Sequence, residues 1–423
     1  MTETSATRLP ASRHFAISAF WFATNLHWMA WLMIILPKQM RDIEPRDPAF
    51  TQGVLLGFGA LPAVLVPLVV GYLSDRCRSR WGRRRPYILA GVAVNIVGLA
   101  LLWYAATQHA LWLYIAAYFL VNAGNNISTG AYTGVIPDMV PENERGLASG
   151  WMAAMTQAGN IAGALGALLL PWGNQAAAAY VLIGGSLALF AGITLVGMRE
   201  RTDLPPPPPV DWAAFVRGLW IDPRKHPDFA WVWITRALFV MGIISVQQYL
   251  QYYLTDVLHV ARSETDKLAA VALLIGMIGA TVTGLIGGAI SDRVGRKVVV
   301  YVANASIAAT VVLFLFAPNV SAVYVIAAVF GLGYGAYYSV DWALGVDVLP
   351  DQDNPAKDMA VWHIAFVLPQ SVALPLAGFL LSTVGHTARP GSYSYAGYAA
   401  IFGMAATFLI LGAVLLRNVR GVR

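Results

Sequence analysis

Runs of 20 or more predominantly apolar residues recur from one end of this chain to the other, and they limit its fold more than any other feature. Coiled as a helix at about 1.5 Å per residue, such a run matches the roughly 30 Å hydrocarbon thickness of a bilayer. With 58% hydrophobic and only 12% charged residues, the chain cannot hide that surface in a water-soluble core. It reads as an all-α membrane protein with twelve transmembrane helices, near 15–36, 53–73, 87–107, 111–136, 149–170, 177–197, 229–254, 268–290, 298–317, 321–349, 360–384 and 394–416. The polar first 14 residues precede a span long enough to cross, with no small-residue cleavage pattern behind it, so span one is expected to be an anchor. The single cysteine, Cys77, excludes an intramolecular disulfide.

Six arginines lie between Arg76 and Arg85, in the turn joining spans two and three. If the N-terminus is cytoplasmic, the inner segments hold 21 Lys and Arg and the outer loops 6, with Arg236 inside a span. That asymmetry predicts a multi-pass protein of the plasma (inner) membrane with both termini in the cytoplasm. Attraction of the arginines to anionic lipid follows from the same charge. A nucleic-acid surface does not, because the segment is a short turn pinned between two spans.

The chain also repeats itself. "GYLSDR" at 71–76 returns as "GAISDR" at 288–293, followed by Gly82-Arg83-Arg84-Arg85 in one copy and Gly295-Arg296-Lys297 in the other. "IPDMVP" at 136–141 returns as "GVDVLP" at 345–350. Two six-helix halves in tandem follow, an N-terminal half over 1–197 and a C-terminal half over 229–423. Between them, 198–228 reads as a cytoplasmic linker, with a polyproline spacer at Pro205–Pro209 and a short amphipathic helix carrying Trp212, Phe215, Val216, Leu219 and Trp220 on one face.

Gly-x-x-Ser-Asp-Arg with a downstream Gly-Arg-Arg in both halves resembles the major facilitator superfamily. Within it, "SDRCRSRWGRRRPYI", the Asn125-Asn126 pair of span four and "GN-I-x-G" at 159–163 resemble the sucrose-transporter family and the related glycoside-pentoside-hexuronide carriers. The resemblance implies a transporter that works by alternating access, moving a small sugar or glycoside with a proton as coupling ion, without cofactor or metal, and as a monomer. It also implies a cytoplasmic gate built from Asp75, Arg76, Arg83, Arg85, Asp138 and Arg145 in the first half and Asp292, Arg296 and Asp347 in the second. Arg83 and Arg85 are expected to reach Asp138, and such partly exposed pairs are weak enough to break in each cycle.

Binding is expected at mid-membrane, where a transporter needs a polar surface. Asn122, Asn125, Asn126, Thr129, Tyr132 and Thr133 lie along one face of span four. Asn25 and Trp28 in span one, Asn160 in span five, Gln247 and Gln251 in span seven and Tyr338 in span ten complete the candidate set. Amides both donate and accept, and flat aromatics stack on a sugar's apolar face. Amides also join membrane helices to one another, so helix packing is the competing reading. Within spans, Arg236 and Asp341 are placed at similar depth, where ion pairing is expected; with His27 they are the candidates for proton coupling.

One position departs from the sucrose-family pattern, which has an acidic residue three places before its Asn-Asn pair. Here that position is Asn122. An amide carries no proton, so coupling has moved, as to Asp341 or His27, or the chain is an uncoupled facilitator. An efflux carrier for amphipathic molecules is the other alternative. A membrane-embedded enzyme is not expected, because no nucleophile-base pair or metal-ligand cluster is recognisable.

Overall fold

The computed structural model describes residues 9–141, 144–169, 176–200, 210–218, 220–350 and 355–420, and every regular element among them is a helix. The long helices are named here in chain order. α1 is Ala11–Ile43, α2 Pro48–Arg76 and α3 Arg85–Thr107. α4 is Leu111–Tyr132, α5 Arg145–Leu169 and α6 Ala176–Gly197. α7 is Pro227–Asp256, α8 Arg262–Val294, α9 Arg296–Phe314 and α10 Val320–Asp347. α11 runs Pro355–Val367 and resumes at Gln370–Val384, and α12 is Tyr395–Leu416. Ten stretches among the described residues are long and apolar enough to cross a membrane. α4 and α5 are not counted with them, and both carry amides, with Asn122, Asn125 and Asn126 in one and Gln157 and Asn160 in the other.

Sequence explains where several helices start and bend. Pro48 opens α2, Pro86 falls in the first turn of α3 and Pro227 opens α7, positions where a missing N–H costs nothing. Asn319 caps α10 by accepting from the Ala322 N–H at 3.0 Å. α1 loosens into a π-turn over Trp31–Ile35, and α2 contains Pro62 and Pro67, each of which removes a backbone hydrogen bond.

Glycines set the closest helix contacts. A Cβ on Gly91 of α3 would strike the Ser128 backbone nitrogen of α4, and one on Gly124 would strike that of Asn95. Gly159 and Gly163 of α5, four residues apart, face the Phe22 and Leu26 carbonyls of α1, while Gly331 and Gly335 of α10 face Gly276 and Ala280 of α8. Without a hydrophobic driving force between helices in lipid, such close approach supplies the attraction.

The chain forms two compact units. One comprises the chain up to Ile35 together with the stretch from Pro62 through α6; the other comprises Leu36–Leu61 and the residues from Val210 onward. The boundaries fall at the end of the π-turn in α1 and at Pro62 in α2. Residues 36–61, read from sequence as part of the N-terminal half, therefore cluster with the C-terminal unit. The polyproline spacer lies outside the described residues, and the short linker helix is Trp212–Gly218.

Candidate functional site

In the first unit, α4 presents a bonded ladder of amides. Asn126 donates through Nδ2 to the Asn122 side-chain oxygen at 2.7 Å and to its carbonyl at 2.8 Å, and Asn122 donates to the Tyr118 hydroxyl at 3.3 Å. The buried Asn125 Oδ1 meets no donor among the described residues. Aromatic rings flank the ladder. Trp31 of α1 stacks on Tyr118 with centroids 5.2 Å apart, and Trp21 lies 5.4 Å from Tyr132. Asn25 donates to the Trp21 carbonyl at 2.8 Å, and Asn160 to the Gln157 side chain at 3.4 Å. Trp28 stacks on His27 at 4.9 Å. His27 is fully buried, and neither ring nitrogen has a hydrogen-bond partner among the described residues.

In the second unit, Arg236 Nη1 lies 2.8 Å from Asp341 Oδ2, with both side chains at least nine-tenths buried. The pairing expected from helix depth is present. Its surroundings are aromatic: the guanidinium sits 4.4 Å from the centre of the Trp362 ring and 5.8 Å from that of Phe366. Tyr337 stacks on Phe239, and Tyr338 packs against Tyr334 with centroids 4.5 Å apart. Trp362 carried no signal in the sequence, because an aromatic in a span is ordinary. Gln247 is half-buried where α7 breaks. Gln251 lines a cleft with Lys38, Arg41, Asp42, Thr255, Arg262, Thr265 and Asp266.

That cleft belongs to a charged cluster the sequence gave no reason to expect. Lys38 bonds Asp266 at 2.6 Å, and Arg41 lies 3.7 Å from Asp256 and over the Tyr252 ring. Gln52 donates to the Gln248 carbonyl at 3.2 Å, and Tyr252 donates to Gln52 at 3.0 Å. Tyr393 donates to Asp47 at 2.8 Å, and burial raises its phenol further above the usual range. These bonds fasten Leu36–Leu61 within the second unit.

The arginine turn centres on a residue that sequence reasoning passed over. Arg84, 5% exposed, reaches Asp75 at 2.5 Å, Asp138 at 2.9 Å and the Ser74 hydroxyl at 2.5 Å. Arg83 also pairs with Asp138. Arg85 does not; it donates to the Met198 carbonyl at 2.5 Å. Arg76 folds back on its own helix, donating to the Tyr72 carbonyl and lying over the Tyr72 ring. The repeat reappears in the second unit as Arg296 paired with Asp347 at 2.9 Å. Gly82 and Gly295, each one residue before the pairing arginine, have φ of 104° and 97°. Only glycine takes that backbone freely, which accounts for the shared Gly-Arg. The side chains of Arg145 and Asp292 lie outside those described.

Two units carrying the same charged turn, with membrane-length helices and bonded amides, fit a membrane transporter. The family model of the Major Facilitator Superfamily matches residues 15–356 and 268–422. The chain belongs to that superfamily, whose members carry solutes and are not enzymes. Sucrose transport protein SUT5 of Oryza sativa subsp. indica is 23% identical over 437 residues, covering 86% of this chain and 80% of that protein. Sucrose transport protein SUT1 of Oryza sativa subsp. japonica is 29% identical over 124 residues, 25% of this chain and 23% of its own length. That match, like the one to sucrose transport protein SUC4 of Arabidopsis thaliana, spans only about a quarter of the relative's length. The fold is that of the nucleoside transporter NupG, with TM-score 0.71, 13% identity and coverage of 96% of this chain and 98% of that one. A bacterial homolog of the human lysosomal transporter Spinster aligns with TM-score 0.68 and 15% identity, over 97% of this chain and 95% of its own.

Proposed function

We propose that this protein is a secondary active transporter of a sugar or glycoside of the sucrose or maltose kind, importing it with a proton by alternating access of two six-helix halves. Its place is the plasma (inner) membrane, with both termini cytoplasmic. The observation that carries the reading is the α4 ladder Asn122–Asn126, with the buried Asn125 Oδ1 meeting no donor among the described residues and aromatic rings on either side. A hydroxyl-rich ligand needs donors and acceptors at one place and a flat apolar face beside them. A purely apolar compound would not need so many amides. The similarity to sucrose transport proteins supports the same substrate class.

Asn25, Trp28, Asn122, Asn125, Asn126 and Asn160 supply binding groups from the first unit, and Gln247, Gln251 and Tyr338 from the second. Asp341, held by Arg236, takes the coupling proton; His27 is the weaker candidate, having no bonded partner among the described residues. The charged turns act as cytoplasmic latches, with Asp75, Arg83, Arg84 and Asp138 in one unit and Arg296 and Asp347 in the other. One observation favours a second reading: Asn122 stands where the resembling family has its acidic residue, which fits a facilitator without coupling. Counterflow of labelled sucrose or maltose in liposomes tests the substrate class. Exchange inhibited by excess unlabelled sugar supports it, whereas no exchange of any sugar, with binding of amphipathic cations, replaces it by the efflux reading.

A further inference from the structure

The arginine turn is clamped from a direction the repeat does not supply. Glu200, three residues beyond the end of α6, places Oε2 against the backbone N–H groups of Arg83 at 2.5 Å and Arg84 at 2.8 Å, and Oε1 against that of Arg85 at 3.0 Å. The last of these is the first amide of α3; the other two precede it, and Arg84, the residue before the helix, gives no side-chain cap of its own. A carboxylate is the favoured partner there, because unpaired N–H groups and the helix dipole both point at it. Gly82 completes the seat: a Cβ at that position would lie 2.6 Å from Glu200 Cδ.

Among the described residues, no carboxylate caps the corresponding helix of the C-terminal repeat. There Lys297 donates to the Val419 carbonyl, as Arg85 donates to that of Met198. Two places beyond Met198 the chain has Glu200, whereas two places beyond Val419 it has Gly421, with no side chain to offer. The feature peculiar to the first unit is that Glu200 itself lies in the sequence segment joining the two halves, 198–228.

We propose that Glu200 is a positioning residue of the inner latch: by holding the amides of 83–85 it fixes Arg84 between Asp75 and Asp138, and it ties that arrangement to the start of the inter-half linker. The inference rests on the latch reading of the Asp75, Arg84 and Asp138 cluster. A carboxylate that grips three backbone amides is released only when α6 and the turn separate, so displacement of the linker's first residues acts on the latch directly. Charge-assisted bonds to backbone N–H groups are stronger than neutral ones, and losing them moves a two-state equilibrium on the order of tenfold.

The test is a double-mutant cycle of Glu200→Gln and Asp138→Asn in the full-length protein in liposomes, reading sugar turnover, KM and the labelling rate of native Cys77. That thiol is partly exposed in the same turn and needs no engineering. Expected are a turnover change on the order of tenfold for each single variant, with KM within about twofold, a matching change in Cys77 labelling, and a double variant no worse than the stronger single. Effects that add in full, or a Glu200→Gln protein indistinguishable from wild type while Asp138→Asn is altered, overturn the proposal and leave the latch standing. An Asp138→Asn protein unchanged in turnover and in Cys77 labelling removes the latch reading itself. Should Glu200→Gln fail to fold, the same cycle with Glu200→Asp, which keeps the charge on a shorter arm, carries the same outcomes.

Discussion

Neutralising Asp341 alone is predicted to harm the protein more than neutralising Asp341 and Arg236 together. The two side chains are 5% and 7% exposed and 2.8 Å apart. Removing one partner of such a pair costs about 3–5 kcal/mol, because the other charge is left buried and uncompensated. Asn at 341 keeps an acceptor that recovers about 1 kcal/mol of this, which leaves about 2–4 kcal/mol for Asp341→Asn. Adding Arg236→Met removes the stranded charge and restores most of that, less about 0.5–2 kcal/mol for the guanidinium over the Trp362 ring. Detergent-solubilised variants, heated in steps and scored for the fraction that remains monodisperse, are expected to rank wild type first, then the double variant, then Asp341→Asn. An Asp341→Asn protein that melts with wild type, or a double variant that melts below Asp341→Asn, would show that no charge is left stranded.

Charge reversal in the Lys38–Asp266 cluster should show compensation. Lys38→Asp or Asp266→Lys is expected to raise thiol labelling of an Ala49→Cys reporter, now fully buried, by up to about fivefold in a Cys77→Ser background, and the exchanged pair to bring it back; equal labelling in all three would show that the pair secures nothing. In the glycine contacts, Gly91→Val is expected to lose the folded protein or at least about 1–3 kcal/mol, since the added carbons meet the Ser128 backbone rather than a movable side chain. Gel-filtration yield measures it, and a normal yield would mean that α3 and α4 can separate at little cost.

Much of the molecule was legible in the sequence because a bilayer leaves few choices. Helices follow from apolar length, and the internal repeat pointed to the Arg83–Asp138 and Arg296–Asp347 pairs, which share a turn, a glycine of positive φ and a geometry. The Arg236–Asp341 pair was legible from depth alone. Arg84 was not, because three consecutive arginines look alike until one is buried between two carboxylates. Glu200 was not either, since its partners are backbone amides, which no side-chain pattern records. The Lys38–Asp266 cluster depends on residues 36–61 folding with the second unit, and it joins Lys38 to a residue 228 positions away. Tandem symmetry says nothing about a contact that breaks it.

Coupled sugar import is tested by uptake of labelled sucrose or maltose into liposomes holding wild type, Asp341→Asn or Asn122→Asp, with and without an inward proton gradient. A membrane-embedded carboxylate is costly and is kept where it has work to do. Asp341 is therefore expected to carry the proton: wild type accumulates sugar only with the gradient, and Asp341→Asn abolishes accumulation while counterflow survives at least in part, since exchange needs no net proton movement. Wild-type uptake that ignores the gradient and becomes gradient-dependent in Asn122→Asp would contradict the account, identifying a facilitator in which the amide at 122 replaced the proton site.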